Sequence, residues 1–237
     1  MRTSLTTISL DFAGVVAPKD FIDYFWYYVI PRRLSKLERI SLYEAMSIVD
    51  REYSSVPSTR LEWYLPSYWL RRFNIDASIK DLYEEALSVA EPYGDALEVV
   101  PRLARRFRIV IVTNTPKKMV EMFLSKYPQI GKHISRVFSC IDDFAMPKKL
   151  AEFYIRVIEE LGEAPGRIMH IGDDRVHDFE EPIRAGMRAL LIERSTRTAP
   201  TPTSLRSLYE VEELLEDSCP TLNYAFNPLS HTSPKAR

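Results

Sequence analysis

Cysteine is scarce in this chain: among 237 residues only Cys140 and Cys219 carry a thiol, far apart and without metal-ligand spacing. Such a pair builds no disulfide framework, and it fits a reducing, cytoplasmic compartment. No apolar run reaches the roughly 18 residues that a membrane-spanning helix needs. The aromatic stretch from Phe21 to Tyr28 is short, with Asp20, Asp23 and Arg32 in and around it, so it reads as a buried helix or pocket wall. The N-terminus lacks a secretory pattern, since the run after Arg2 is broken by Ser4 and Thr6. An excess of one charge is also missing. Lys+Arg total 32 against 33 Asp+Glu, a net charge of −1, which leaves no basic field for nucleic acid. The pairs Arg32-Arg33, Arg71-Arg72 and Arg105-Arg106 lie in helical-looking stretches and read as solvated faces. Glutamine occurs once, at Gln129, a composition compatible with a thermophile. Internal repeats are absent.

What is present is an ordinary globular composition, 46% hydrophobic and 27% charged, on a chain long enough to bury a real core. Short β-branched runs predict strands at Leu5 to Leu10, Ile109 to Val112, Arg136 to Cys140, Ile168 to Ile171 and Ala189 to Ile192. Helical segments fall between them, at Met119 to Lys126, Leu150 to Leu161 and Phe179 to Ala185. This alternation predicts an α/β fold with a doubly wound, mostly parallel sheet of Rossmann-like character. Nearly a hundred residues separate the first two strands, more than one crossover needs. That interval is helical in character, with capping-box patterns at Ser41 to Glu44 and Ser78 to Asp81 and punctuation at Pro57, Pro66 and Pro92. The expected division is a core of residues 1–15 and 92–217, a helical cap of 16–91, and an irregular tail of 218–237 rich in Pro, Ser, Asn and Thr.

Four motifs carry chemistry. Ile8 to Val16 is a strand ending on Asp11, followed by Phe12-Ala13-Gly14, which places a carboxylate at the ligand-binding edge of such a sheet. Ile111 to Thr115 delivers the hydroxyl of Thr113 and then Asn114 at another strand end; this suits an anionic oxygen, and it equally suits a helix N-cap. Pro147-Lys148-Lys149 offers a lysine able to neutralise charge on a transferring group, where the bland reading is a surface pair. His170 to Asp178 ends a strand on Gly172-Asp173-Asp174 and returns to Asp178, converging carboxylates that repel one another unless a cation sits among them. His170 reads as structural and His177 as a solvated loop residue. Tyr24 and Tyr27 are placed to face the site, and most other cap aromatics read as cap core.

The order and spacing of these motifs resemble the haloacid dehalogenase-like hydrolase superfamily over roughly residues 5 to 215. The insertion resembles its helical type-1 cap, and the chain looks closest to archaeal phosphatase-like members. The resemblance implies a Mg²⁺-dependent hydrolase acting on a small phosphorylated or otherwise anionic substrate, with no nucleic-acid or membrane partner and the oligomeric state open. It implies Asp11 as a nucleophile forming an aspartyl intermediate, with Thr113, Asn114 and Lys148 holding the phosphoryl group. Mg²⁺ would lie on Asp11, the backbone carbonyl of Ala13 and Asp173, with Asp178 or Asp174 completing the site. Phosphatases of this superfamily carry a second Asp two residues after the nucleophile, where this chain has Ala13. That departure favours leaving groups needing little protonation, such as aryl or acyl phosphates, with Lys19, Asp20 or Asp23 as replacement acids. It also opens two alternatives. One is phosphonoacetaldehyde-hydrolase-like C–P cleavage, which shares the Asp-x-Ala-Gly pattern and needs a cap lysine (Lys19, Lys36 or Lys80). The other is a weakened protein that binds a phosphorylated ligand or partner.

Overall fold

A computed structural model describes residues 4–194 and 204–216. Six strands form a single parallel sheet: β1 (Thr7–Leu10), β2 (Arg108–Thr113), β3 (Ile134–Ser139), β4 (Ile168–Gly172), β5 (Arg188–Ile192) and β6 (Ser204–Leu205). Their order is β3-β2-β1-β4-β5-β6. β1, β4 and most of β2 and β5 are fully buried, as expected where helices cover both faces of a parallel sheet. β1 is flanked by β2 on one side and β4 on the other, so the chain reverses its winding between β1 and β4. The crevice beyond the carboxyl ends of these two strands is where such sheets bind ligands. Register fixes that edge: Leu10 lies opposite Ile111 and Ile171, and the Asp11 amide donates to Ile171 O at 2.8 Å.

Strand boundaries move by one or two residues from those predicted, which is the ordinary uncertainty of element ends. β1 starts at Thr7 rather than Leu5, and the hydroxyls of Thr6 and Thr7 donate to the Glu163 carboxylate at 2.6 and 2.7 Å. Helix Lys117–Lys126 begins two residues early and Ala151–Leu161 ends as expected. The helix expected from Phe179 starts at Arg175, widening through a π-type turn to Glu180 before Glu181–Arg184. The Asp174 carboxylate initiates it by accepting the amides of Val176 and His177. Strand β6 and helix Leu208–Glu216 carried no distinct sequence signal. Residues 218–237, including Cys219, lie outside the described residues; Cys140 is a buried free thiol.

Between β1 and β2 the chain is helical. A nearly continuous rod runs from Asp20 to Glu38, followed by Leu42–Ser54, Pro66–Arg72 and Ile79–Leu87, and the helix Gly94–Leu103 then leads into β2. The Ser41 box closes in both directions, Ser41 Oγ accepting the Glu44 amide and Glu44 accepting the Ser41 amide. The Ser78 box does not form, for Asp81 is one methylene shorter than the Glu the motif needs. Phe12, Phe21 and Phe123 pack with ring centroids 5.0 to 6.0 Å apart, joining the rod to the sheet layer in one core. Of the basic pairs, Arg32 and Arg33 share Glu85, and Arg72 pairs with Glu52. They fasten helices together and form no open patch.

Candidate active site

Asp11 leaves β1 buried, with 4% of its surface exposed. Its Oδ1 accepts the Phe12 amide at 2.8 Å, and its Oδ2 lies 3.0 Å from Lys149 Nζ. Lys149 is equally buried and also pairs with Asp178, so one ammonium bridges two carboxylates. Asp178 is wholly buried. Its Oδ1 lies 3.1 Å from His170 Nε2 and 3.3 Å from the Tyr154 hydroxyl oxygen, while Oδ2 accepts the Asp174 amide at 3.1 Å. The Tyr154 hydroxyl donates to His177 O at 2.7 Å, and His170 Nδ1 meets Ser9 Oγ at 2.8 Å. Asp173, at the end of β4, holds Lys19 Nζ at 2.7 Å. Oxygens of Asp11, Asp173 and Asp178 lie within 4.8 Å of one another.

Two glycines make this convergence possible. A Cβ on Gly14 would stand 2.2 Å from Asp173 Oδ2, and one on Gly172 would stand 2.2 Å from Asp178 Cβ. Gly14 also has φ of 89°, a conformation that costs any residue with a Cβ. The backbone approaches the carboxylates so closely that side chains are excluded at both points.

The electrostatics are those of an anionic cluster with too few cations. Burial pushes the Asp11 carboxyl up to about 7, with Lys149 opposing and Asp178 and Asp173 reinforcing the rise. Burial raises Asp173 too, against the pull of Lys19. Burial alone would do the same to Asp178, but the Lys149 ammonium overrides it, helped by His170, and holds that carboxyl well below the usual range. Burial works to lower both Lys149 and Lys19, yet their carboxylate partners win and keep them protonated.

The structure brings together Asp11, Asp173 and Asp178, and places Ala13, Asn114, Lys148, Lys19 and Asp23 on the wall of the same cavity of about 320 Å³. Asp20 and Thr113 are not on that wall. Thr113 Oγ1 is buried in its own turn, accepting the Thr115 amide at 3.2 Å. Asp174 also lines the cavity, but its Oδ1 caps the following helix and meets His177 Nδ1 at 3.1 Å, outside the three-carboxylate group. The lysine that reaches Asp11 is Lys149, not Lys148. The chain turns at Lys149, the Leu150 amide donating to Lys148 O at 3.0 Å, and Lys149 is buried while Leu150 is 49% exposed. Tyr27 lines a neighbouring cavity, whereas Tyr24 stacks on Tyr28 at 4.7 Å instead of facing the site. Sequence reasoning missed Lys149 and the anchoring role of Tyr154. The Lys-Lys pair four residues ahead of Phe153-Tyr154 was the available signal.

The donor set suits a hard divalent cation: carboxylate oxygens, few in number, with room left for water and substrate. Without a metal, two lysines must compensate three carboxylates, and Asp11 shows the deficit.

The sequence profile of the haloacid dehalogenase-like hydrolases matches residues 8–186. A GMP/IMP nucleotidase, YrfG, of Escherichia coli is 30% identical over 70 residues, which are 30% of this chain and 31% of that one. The chain thus matches about a third of the length of this curated relative. Among solved structures, a HAD phosphatase from Thermococcus onnurineus superposes with a TM-score of 0.72 at 23% identity, over 89% of this chain and 98% of the other. L-2-haloacid dehalogenase from Xanthobacter autotrophicus superposes at 0.58 and 13% identity, over 91% and 100%. One fold thus carries both chemistries, and the choice between them rests on the site.

Proposed function

Within the haloacid dehalogenase-like hydrolase family, to which this chain belongs, we propose that it is a Mg²⁺-dependent phosphatase of small phosphorylated metabolites, working through an aspartyl intermediate on Asp11. The observation that carries this reading is the cluster of buried Asp11 and Asp178 with half-buried Asp173, whose charge exceeds that of its lysines. Asp11, Asp173 and Asp178 would hold the metal with the Ala13 carbonyl, and Asp174 orients the loop. Bound Mg²⁺ supplies positive charge against the transferring phosphoryl oxygens and favours ionised Asp11.

The chain's own residues do the rest. Phe12 N–H and Lys149 hold one oxygen each of Asp11, which fixes the carboxylate for in-line attack on phosphorus. The new bond joins an Asp11 oxygen to phosphorus, and the ester P–O bond breaks with its electron pair on the leaving oxygen. Water then cleaves the acyl phosphate, returning the Asp11 carboxylate and inorganic phosphate. Lys149, Lys148 and Asn114 line the space the phosphoryl group would fill. Thr113 acts indirectly in this reading, by shaping the turn that carries Asn114.

Position 13 offers no acid, and Asp23 is the insertion carboxyl that reaches the cavity. Burial raises its pKa, with Asp20 adding to the rise, which suits a proton donor. C–P cleavage through a Schiff base is less well supported. Lys19 faces the cavity, but Asp173 keeps it protonated, and a protonated amine is no nucleophile.

The test is a Mg²⁺-dependent substrate panel on wild type, Asp11→Asn, Asp23→Asn and Ala13→Asp. Aryl and acyl phosphates should turn over fastest, and Asp11→Asn should abolish turnover. Ala13→Asp should raise turnover of alkyl phosphates, within the ~10²–10⁴ range of a positioned acid. Absence of any Asp11-dependent phosphate release across the panel refutes the proposal.

A further inference from the structure

Beside the carboxylate cavity lies a second one of about 160 Å³, walled by the rings of Trp26, Tyr27, Tyr53, Trp63 and Tyr64. Ile22, Asp23, Tyr64 and Asn114 line both, so the two are adjoining chambers, one charged and one apolar. The aromatic wall is held in place by its own contacts. Tyr53 Oη donates to Trp26 O at 3.2 Å, and Trp26 and Tyr53 meet edge to face at 5.8 Å. Tyr27 meets Tyr53 at 6.0 Å and Trp63 meets Tyr64 at 4.9 Å, both also edge to face. Tyr53 is buried behind this wall, whereas Tyr27 is exposed and Trp63 and Tyr64 half-buried, which leaves their rings able to meet a further ring edge to face or offset.

Size selects the occupant. An apolar cavity of about 150 Å³ takes up benzene, so this chamber of about 160 Å³ has room for one six-membered ring. We propose that the chamber binds the ring of the leaving group, making monoesters of single-ring phenols and benzylic alcohols the preferred substrates. This rests on the phosphoryl-transfer reading above. For the phenols it also agrees with Ala13: a phenolic hydroxyl ionises near pH 10 against about 15.7 for water. A phenolate therefore leaves phosphorus with little need of a proton and takes one afterwards from solvent.

The decisive comparison uses phenyl, benzyl and n-butyl phosphate with Mg²⁺. Benzyl and butyl esters both expel alkoxides, so their ratio isolates ring recognition from leaving-group reactivity. Wild type should favour benzyl over butyl about tenfold in kcat/KM, mostly through KM. Tyr27→Ala, at a 43% exposed position where folding is safe, and Trp63→Leu should each bring the ratio towards one. A wild-type ratio near one, or a ratio that neither substitution moves, overturns the proposal. So does GMP outrunning benzyl phosphate, since single-ring esters are then not the preferred substrates. If no ester is cleaved, the phosphoryl-transfer reading fails separately, and calorimetric binding of benzylphosphonate against butylphosphonate then decides ring recognition by the same tenfold criterion.

Discussion

Replacing Lys149 by Met tests the site more sharply than replacing any of its carboxylates. The ammonium is 4% exposed and lies 3.0 Å from Asp11 Oδ2 while also pairing with Asp178. Its removal leaves two buried carboxylates facing each other, and breaking a buried pair in this way costs about 3–5 kcal/mol. At about 2–4 °C per kcal/mol for a protein of this length, Tm should fall by roughly 6–20 °C. Mg²⁺ should recover part of that loss, about 2.7 kcal/mol at a hundredfold excess over its Kd. The recovery should exceed that in wild type, because the variant has more repulsion to relieve. Lys148→Met is the control, expected to stay within about 0.5 kcal/mol of wild type because Lys148 is only partly buried. Thermal and urea denaturation with and without Mg²⁺ give all four numbers. If Lys148→Met proves as costly as Lys149→Met, or Mg²⁺ stabilises Lys149→Met less than wild type, the assigned arrangement is wrong.

Two further outcomes follow from the same geometry. Gly172→Ala drives a methyl into the wholly buried Asp178 and should cost about 1–3 kcal/mol in denaturant melts. Gly14→Ala combines the cost of a φ of 89° with a collision at the Asp173 carboxylate, and should weaken Mg²⁺ binding by calorimetry as well as lower stability; unchanged Mg²⁺ affinity would refute the packing account. In the metal-free protein the Asp11 carboxyl holds its proton up to about pH 7, so below that pH a bound cation must displace it. Apparent Mg²⁺ affinity should therefore fall about tenfold per pH unit below 7 and level off above it, and a flat profile from pH 5 to 8 would contradict this.

Strands and the carboxylate triad were legible because both are written in local pattern. An apolar β-branched run ending on Asp11, and another ending on Gly172-Asp173, fix which side chains reach the sheet edge, and a parallel sheet then has few ways to bring them together. Lys148 and Lys149 were not separable from sequence, since neither periodicity nor composition distinguishes adjacent identical residues. The turn across Lys149, which buries that side chain between Asp11 and Asp178, makes the choice, and that is a tertiary fact. Tyr24 was misplaced for a related reason. The helix widens at Phe25–Val29, rotating the aromatic stretch away from the 3.6-residue spacing that a sequence reading assumes. β6 escaped notice because two residues carry no alternation to read. Of the aromatic chamber only the pocket-wall reading of Phe21 to Tyr28 was legible, since its assembly joins Trp26 and Tyr53 to Trp63 and Asn114 across four separate segments.

Arg194, just beyond β5, ties several of these segments at one point. Its guanidinium donates to Gly14 O at 3.1 Å and Val15 O at 2.8 Å, where the chain leaves β1. It grips the Asp95 carboxylate with two nitrogens at 2.9 and 3.1 Å and lies 3.8 Å above the Tyr93 ring, where the chain returns. Tyr93 N–H donates to Val16 O at 3.0 Å, and Asp95 also accepts the Leu208 amide at 2.7 Å. Outgoing and returning chain are thus pinned to each other and to the sheet's far edge. Mechanically, Arg194 is a second fastening beside the Phe12, Phe21 and Phe123 rings: it clamps the two ends of the insertion together while the rings hold the insertion's first helix against the sheet layer.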